Sequence, residues 1–467
     1  MTLLEILLFA GSALGHGSLG HSSLGHTALC GGQGPSLMVS GGNPVCNAAP
    51  GILPNITDKP TVAQSRQRQG KHGASRRQHA WTHTSPCFRL DSPGQEYCVF
   101  TDTNFADGRG ISLVTKARRA NYFAETPAFV KPGINKDVNQ DLNRTIPAKY
   151  KVQEIPGKGM GVVATEHIRS GDLIIANTVS LLVDYGAFSL ARDEYFELQV
   201  SAVDRLPSAH RAALLALSTH DETHLEHEEH VDKLIATNAF DIYPGDEDEE
   251  SSDTMFGIFP EISRMNHDCR PNADYRFDHD TLVQYVTALR DISPGEEITL
   301  TYIDPVMPRA ARMEKLHRNW GFECSCPLCS LDKHRADASD ARIDQIKWLW
   351  EETREETGSP EMAELIISLY QQEKLWGKMP GAYYFAATEY NGAGDPWTAI
   401  KYARLAIEAG IPTLGENSRT VREMRKLARD PWKHRSWMAS VKEAQGLEHR
   451  HGYQHESDSN SDSEGED

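Results

Sequence analysis

The sequence predicts an α+β protein: a β-rich domain of short strands with a helical insertion, a cysteine-rich segment after it, and a helical C-terminal region. Three observations predict this. Short apolar runs separated by Gly-rich turns fill residues 150–176 and return over 258–302. Helical periodicity replaces them over 188–238 and again from Asp340 to about residue 447. Cys324, Cys326 and Cys329 stand at one- and two-residue spacings where the strands give way to helices.

The chain has 467 residues, room for two or three domains at roughly 150 residues each. Hydrophobic residues make up 39% and charged residues 24%, which suits a soluble globular protein with disordered ends. A formal net charge of −18 argues against a nucleic-acid backbone as the main partner. An acidic surface suits a basic protein partner, such as a Lys/Arg-rich tail, and also simply keeps a protein soluble. No apolar run reaches the ~18–20 residues of a membrane span.

Residues 1–80 read as a low-complexity, disordered leader. Leu3, Leu4, Ile6, Leu7, Leu8 and Phe9 look like a secretory h-region, but Glu5 interrupts it and no basic stretch precedes it. A repeat follows, with His16, His21 and His26 each after Leu-Gly. A flexible leader explains it better than metal binding. Residues 81–147 read as a small N-terminal extension. Cys87 and Cys98 bracket a strand-turn-strand across which they can pair, and Asp107-Gly108-Arg109-Gly110 turns into Ile111, Leu113 and Val114. Asn55-Ile56-Thr57 and Asn143-Arg144-Thr145 are glycosylation sequons only if the chain is secreted.

Residues 148–305 form the β-rich domain. Tyr150-Lys151-Val152 leads through Gly157–Gly161 to Val162-Val163-Ala164, and Ser170-Gly171-Asp172 turns into Leu173–Ala176. The insertion spans 188–255. It has Val203, Leu206, Ala213, Leu214 and Leu217 on one face, then Leu234 and Ile235, and ends in an acidic loop at 246–250. Strands resume at Ile258-Phe259, Leu282–Val286 and, after Pro294-Gly295, Ile298–Tyr302. Residues 306–335 hold the cysteine-rich segment and 336–447 the helical region. There Ala399, Tyr402, Ala403, Leu405 and Ala406 form an amphipathic face after Gly394-Asp395-Pro396, like one helix of a tetratricopeptide-like pair. Residues 448–467 are an acidic tail too polar to bury a core.

The candidate site lies between Asn266 and Cys329. Asn266-His267-Asp268-Cys269-Arg270-Pro271-Asn272 reads equally as a hydrogen-bonded turn and as a functional one. Glu297–Tyr302 ends a strand on a tyrosine, a residue that in such a place is commonly packing. Cys324-Ser325-Cys326-Pro327-Leu328-Cys329 supplies three thiolates, whereas a structural zinc takes four ligands. Cys269 is the nearest upstream candidate for the fourth, and reduced buried cysteines are the competing reading.

At these residues the chain resembles the SET-domain family of protein lysine methyltransferases. The matching pieces keep the family's order: Lys158-Gly159-Met160-Gly161, Arg264–Asn272, Glu297–Tyr302 and Phe322–Cys329, within about residues 148–330. The insertion and the later helices resemble the SET-and-MYND subgroup and its fungal relatives. No cysteine lies between Val163 and Phe259, so the MYND finger is missing. The resemblance implies a SET fold with a post-SET zinc segment, and S-adenosylmethionine and Zn2+ as cofactors. Lys158, Gly159, Met160, Gly161, Asn238, Asn266, His267, Tyr302 and Phe322 would hold the methyl donor. The two glycines would allow close approach, Asn266 and His267 would bind its adenine and methionine ends, and Phe322 would cover the adenine. Cys269, Cys324, Cys326 and Cys329 would hold zinc, leaving His267 out of the metal shell.

Tyr302 would be catalytic, placing the amine at the methyl group rather than acting as a base, because an unperturbed phenol titrates near 10. Tyr275 or Tyr285 would line the lysine channel, or belong to the core. The implied substrate is a lysine of a histone tail or of another protein, with no direct nucleic-acid or membrane partner. The implied location is the nucleus, the cytoplasm or both, since the methyl donor is made inside cells. That disfavours a secreted, disulfide-stapled protein built on Cys30, Cys46, Cys87 and Cys98. A catalytically silent SET-like scaffold is the alternative. Its sign would be loss of Tyr302, Asn266 or the cysteine cluster, and all are present. Because Cys269 neighbours Asn266 and His267, removing the metal should cost cofactor affinity as well as fold.

Overall fold

The computed structural model describes residues 80–444, apart from 91–94, 132, 136–137, 139–147, 220–224, 243–253 and 356–357. The leader repeat, both sequons, Cys30, Cys46, the acidic loop and the terminal tail lie outside the described residues.

Three sheets organise the chain. The largest has six strands: β1 (Cys87–Arg89), β2 (Glu96–Asp102), β3 (Ile111–Lys116), β7 (Leu181–Asp184), β9 (Met255–Ile258) and β8 (Phe240–Ile242), in that spatial order. The second pairs β10 (Ala273–Asp278), β11 (Val283–Ala288) and β6 (Leu173–Thr178). The third pairs β12 (Glu297–Ile298), β5 (Gly159–Ala164) and β4 (Tyr150–Ile155). The segment before residue 147 is therefore built into the fold: β3 runs parallel to β7 and joins the extension to the rest of the chain. Cys87 and Cys98 sit opposite each other in β1 and β2 and form a disulfide.

The six-stranded sheet divides two cores, and strand alternation sorts its side chains between them. Tyr97 and Val99 face one core, and Cys98 and Phe100 face the other. On the first side pack helices α2 (Arg192–Asp204), α3 (Ser208–Leu215) and α4 (His227–Asn238), through Leu198, Val203, Leu214 and Leu234. This is the insertion. Of the face read from its periodicity, Val203, Leu206, Leu214, Leu217, Leu234 and Ile235 are buried, while Ala213 is half-buried. The helices end at Asn238, and β8 begins two residues later. The second core contains Tyr302, Trp320 and the four clustered cysteines.

Helix α1 (Ala117–Glu125) follows β3 and sends Arg119 to Asp184, at the end of β7, at 3.1 Å. Thr115 donates its hydroxyl to the same carboxylate at 3.0 Å. Burial pushes the Asp184 carboxyl up, and the Arg119 charge opposes that push.

After α5 (Arg309–Trp320) the chain continues into α6 (Lys333–Glu355), α7 (Pro360–Gln372), α8 (Met379–Gly392), α9 (Pro396–Leu414), α10 (Arg419–Arg429) and α11 (Ala439–Ala444). Ser359, Asp395 and Ser418 start α7, α9 and α10 by accepting backbone N–H groups from Met362, Thr398 and Val421. Ala399, Tyr402, Ala403 and Ala406 are buried in the helical core, and Leu405 is half-buried. This region rests on the second sheet, where the Thr287 hydroxyl donates to the Pro412 carbonyl at 3.0 Å. Among the described residues no helix is long and apolar enough to cross a membrane.

Arg119→Met should destabilise the fold by about 3–5 kcal/mol, because it strands a buried carboxylate at Asp184. A lowered denaturation midpoint at neutral pH checks this, and Asp184→Asn in the same background should recover part of the loss.

Candidate functional site

The site is a crossing of two chain segments. Residues 266–268 run parallel to 299–301, with His267 opposite Leu300. The Leu300 N–H donates to the Asn266 carbonyl at 3.0 Å, and the Asp268 N–H donates to the Leu300 carbonyl at 2.9 Å. The polar turn holds itself in shape. The Asp268 carboxylate accepts the Arg270 N–H at 2.8 Å, the Asn272 side-chain oxygen accepts the Thr299 N–H at 2.9 Å, and its Nδ2 donates to the Glu297 carbonyl at 2.8 Å. The run from Asn266 to Asn272 is thus both a structural turn and the floor of the site.

His267 joins the two halves of this floor. Its Nδ1 accepts the Tyr302 N–H at 3.0 Å, so the ring proton sits on Nε2, which lies 3.3 Å from Cys269 Sγ. Burial holds the imidazole far below its ordinary value, at about 3, and the ring is neutral at physiological pH. The Tyr302 hydroxyl donates to the Met265 carbonyl at 2.8 Å. Burial first, and then the charge of Glu297, pushes its phenol above the ordinary range. Tyr302 therefore keeps its proton, and its oxygen retains lone pairs able to accept a further hydrogen bond.

Cys269, Cys324, Cys326 and Cys329 are all buried, and their sulfurs lie within 4.8 Å of one another. Cys269 Sγ is 3.6 Å from Cys329 Sγ and 4.0 Å from Cys324 Sγ. Hydrogen bonds among the four push the Cys269 and Cys324 thiols up and the Cys326 and Cys329 thiols down. Without added positive charge the group cannot hold four thiolates. Four soft donors at this separation fit a tetrahedral zinc ion.

The hairpin of β4 and β5 reaches the same place. Lys158 Nζ lies 2.7 Å from Glu297 Oε2, and Asn266 Nδ2 donates to Glu297 Oε1 at 2.8 Å. A Cβ on Gly161 would lie 2.6 Å from Ile155 Cγ1, 2.8 Å from Asn266 Nδ2 and 3.0 Å from Glu297 Oε1. Gly161 thus makes room for the Asn266 amide. Gly159 meets a different demand: its φ is +72°, and the space around it is open. Met160 is exposed on the same hairpin.

Phe322 and Trp320 complete an aromatic wall. Trp320 lies 5.3 Å from Tyr302, Phe322 lies 6.5 Å from it edge-on, and Phe322 lies 6.2 Å from His267. Helix α5 can end between the two because Gly321 takes the left-handed conformation, φ 71°. Asn238 stands beside this wall with its amide already engaged. Its Nδ2 donates to Ser218 and Leu234 carbonyls at 2.8 and 2.9 Å, while Thr237 next to it accepts the Trp320 indole N–H at 3.2 Å. Tyr275 is buried in the core that contains Tyr302, with its ring 4.9 Å from Phe240. Tyr285 lies under the Arg276 guanidinium, 4.1 Å from ring centroid to cation.

Several of the residues expected from the sequence therefore meet: Lys158, Gly161 and Asn266 around Glu297, and His267, Tyr302 and Phe322 against one another, with Cys269 of the cysteine group beside His267. Trp320, Glu297 and the Met265 carbonyl were missed as participants. Trp320 carries a signal in hindsight, as the last aromatic before a Gly-Phe pair leading into the cysteine run. Aromatic faces such as these can attract a cation and stack on a planar ring.

Residues 159–303 match the SET domain family. Histone-lysine N-methyltransferase set5 of Schizosaccharomyces pombe is 30% identical over 203 residues, 43% of this chain and 56% of that protein. Protein-lysine N-trimethyltransferase SMYD5 of Mus musculus is 42% identical over 90 residues, 19% of this chain and 20% of that protein. Histone-lysine N-methyltransferase SMYD3 of Homo sapiens is 32% identical over 118 residues, 22% of this chain and 27% of that protein. The chain thus spans little more than half of the first relative and about a quarter or less of the others. The crossing and the tyrosine at its end fall within the matched segment and the cysteine group follows it, so this chain contains a segment that matches the SET domain and is similar there to proteins named as SMYD and set5 lysine methyltransferases.

Proposed function

We propose that the protein is an S-adenosylmethionine-dependent protein-lysine N-methyltransferase acting on a histone or another protein. The observation that carries this reading is the placement of Tyr302. Its protonated phenol is fixed by the Met265 carbonyl, its backbone N–H is held by the His267 ring, and its ring is walled by Trp320 and Phe322. Relatives named as lysine methyltransferases support it.

Bound S-adenosylmethionine would supply a methyl group activated on a sulfonium. Asn266, His267, Lys158, the Gly159–Gly161 strand, Asn238 and Tyr302 would hold it, with Phe322 over its base. The chain's own work is then orientation and exclusion of water. The lysine amine must be neutral against a reference pKa near 10.4, and a dry, aromatic chamber favours the neutral form. The Tyr302 oxygen can accept a hydrogen bond from that amine and align it, an effect of positioning rather than of proton removal. Zinc in the four-cysteine group would keep Phe322 and the Cys269 turn in place.

A reaction inside cells, where the methyl donor is made, agrees with a nuclear or cytoplasmic location and a basic protein segment as substrate. The silent-scaffold alternative would keep cofactor binding without transfer.

Labelled S-adenosylmethionine with a panel of histones and cell extract should give a methylated protein. Tyr302→Phe should lose about 100-fold in transfer, within the range removal of one preorganised polar group costs, while still binding the cofactor. Wild-type binding without any transfer would favour the scaffold, and no binding would end the enzyme reading. The rate should climb from pH 7 to 9 as the substrate amine loses its proton, with no fall from Tyr302, whose raised value keeps it protonated throughout. Metal analysis should find one zinc per chain, and Cys326→Ser should bring the content close to zero and weaken cofactor binding in the same sample.

A further inference from the structure

We propose that Glu373, in the helical region, is a positioning residue that sets the site through Arg270. Arg270 follows the cysteine at the crossing. One of its nitrogens, Nη1, donates to the Cys269 carbonyl at 2.8 Å and to the Pro305 carbonyl at 2.9 Å. These carbonyls belong to the two segments that cross: the turn bearing Asn266 and His267, and the stretch leaving Tyr302. Arg270 is thus a clamp across the crossing, and its other nitrogen, Nη2, lies 2.8 Å from Glu373 Oε2.

Glu373 follows the last turn of α7, and its side chain is only 2% exposed. It is fixed in its turn by the Ser339 hydroxyl at 2.7 Å and by the Arg342 Nε at 2.7 Å, both from α6. Burial alone would push this carboxyl up, but Arg270 and then Ser339 more than offset it. The carboxylate is therefore charged and holds Arg270 in one orientation. A second tie reinforces the same end of the site, where Lys378 lies 3.9 Å from Asp304, two residues after Tyr302. A helical region that served only to dock a protein substrate would need neither a buried carboxylate nor an arginine threaded into the cysteine turn.

The clamp predicts a specific pattern. Glu373→Gln removes the charge facing a buried arginine. Charged hydrogen bonds of this kind contribute enough to shift an equilibrium by roughly tenfold or more. Loss of zinc to a chelator should accelerate about tenfold, and S-adenosylmethionine should bind about tenfold more weakly by calorimetry, with the KM for the protein substrate unchanged. In an Arg270→Met background the same Glu373→Gln change should have almost no further effect. A mere defect in the packing of α7 would persist there. Arg342→Met, which removes only the outer partner, should shift zinc loss in the same direction by a smaller factor, and serves if Glu373→Gln does not fold.

The zinc arm does not depend on the methyl-transfer reading. If the wild-type protein bound no S-adenosylmethionine, that reading would fall, and the chelator rates would still decide the clamp. Wild-type rates of zinc loss in both Glu373→Gln and Arg342→Met would overturn it, as would an undiminished effect of Glu373→Gln in the Arg270→Met background.

Discussion

The His267 imidazole stands between the sulfur cluster and the segment that carries Tyr302, and the site depends on how its two nitrogens are used. By accepting the Tyr302 N–H, Nδ1 directs the ring proton to Nε2, toward Cys269 Sγ. A thiolate bound to a cation is a good acceptor for that proton, so metal binding and the setting of Tyr302 are two ends of one hydrogen-bonded path. The sequence reading assigned Asn266 and His267 to the cofactor mainly through main-chain and amide hydrogen bonds, and the His267 ring nitrogens are engaged with Tyr302 and Cys269.

The rest of the molecule positions this crossing. The six-stranded sheet supplies a wall whose inner face packs against the site and whose outer face is covered by the insertion. The hairpin of β4 and β5 brings Lys158 to Glu297, and Gly161 leaves space for the Asn266 amide between them. The helical region adds the Arg270–Glu373 tie. Three parts of the chain far apart in sequence thus converge on a stretch of few residues, and this explains why the turn at Asn266 is held by so many side-chain hydrogen bonds.

What the sequence revealed follows from the range of the underlying physics. The cysteine spacing, the Asn266–Asn272 turn and the tyrosine ending the Glu297–Tyr302 strand are local signals, and they are all found together in the structure. The helical faces were also legible, because burial follows periodicity, as at Val203 and Leu234 or Ala399 and Ala403. Long-range pairing was not. Nothing in Ile111–Lys116 announces that it runs parallel to Leu181–Asp184, and so a stretch that reads as an extension is an inner part of the largest sheet. Gly161 likewise reads as a residue for ligand approach, and its local sequence does not show that a Cβ there would meet Ile155 and Asn266. Arg270 and Glu373 are 103 residues apart, and no local pattern links them.

The assignment of the His267 proton is the most direct test of this account. Nitrogen-15 NMR of histidine-labelled, zinc-loaded protein, with the His267 signal identified by its absence in His267→Gln, reports which ring nitrogen carries it. The account predicts a neutral ring protonated at Nε2. A proton on Nδ1 would contradict it, because that nitrogen could not then accept the Tyr302 N–H, and the path from the cysteine group to Tyr302 would not exist.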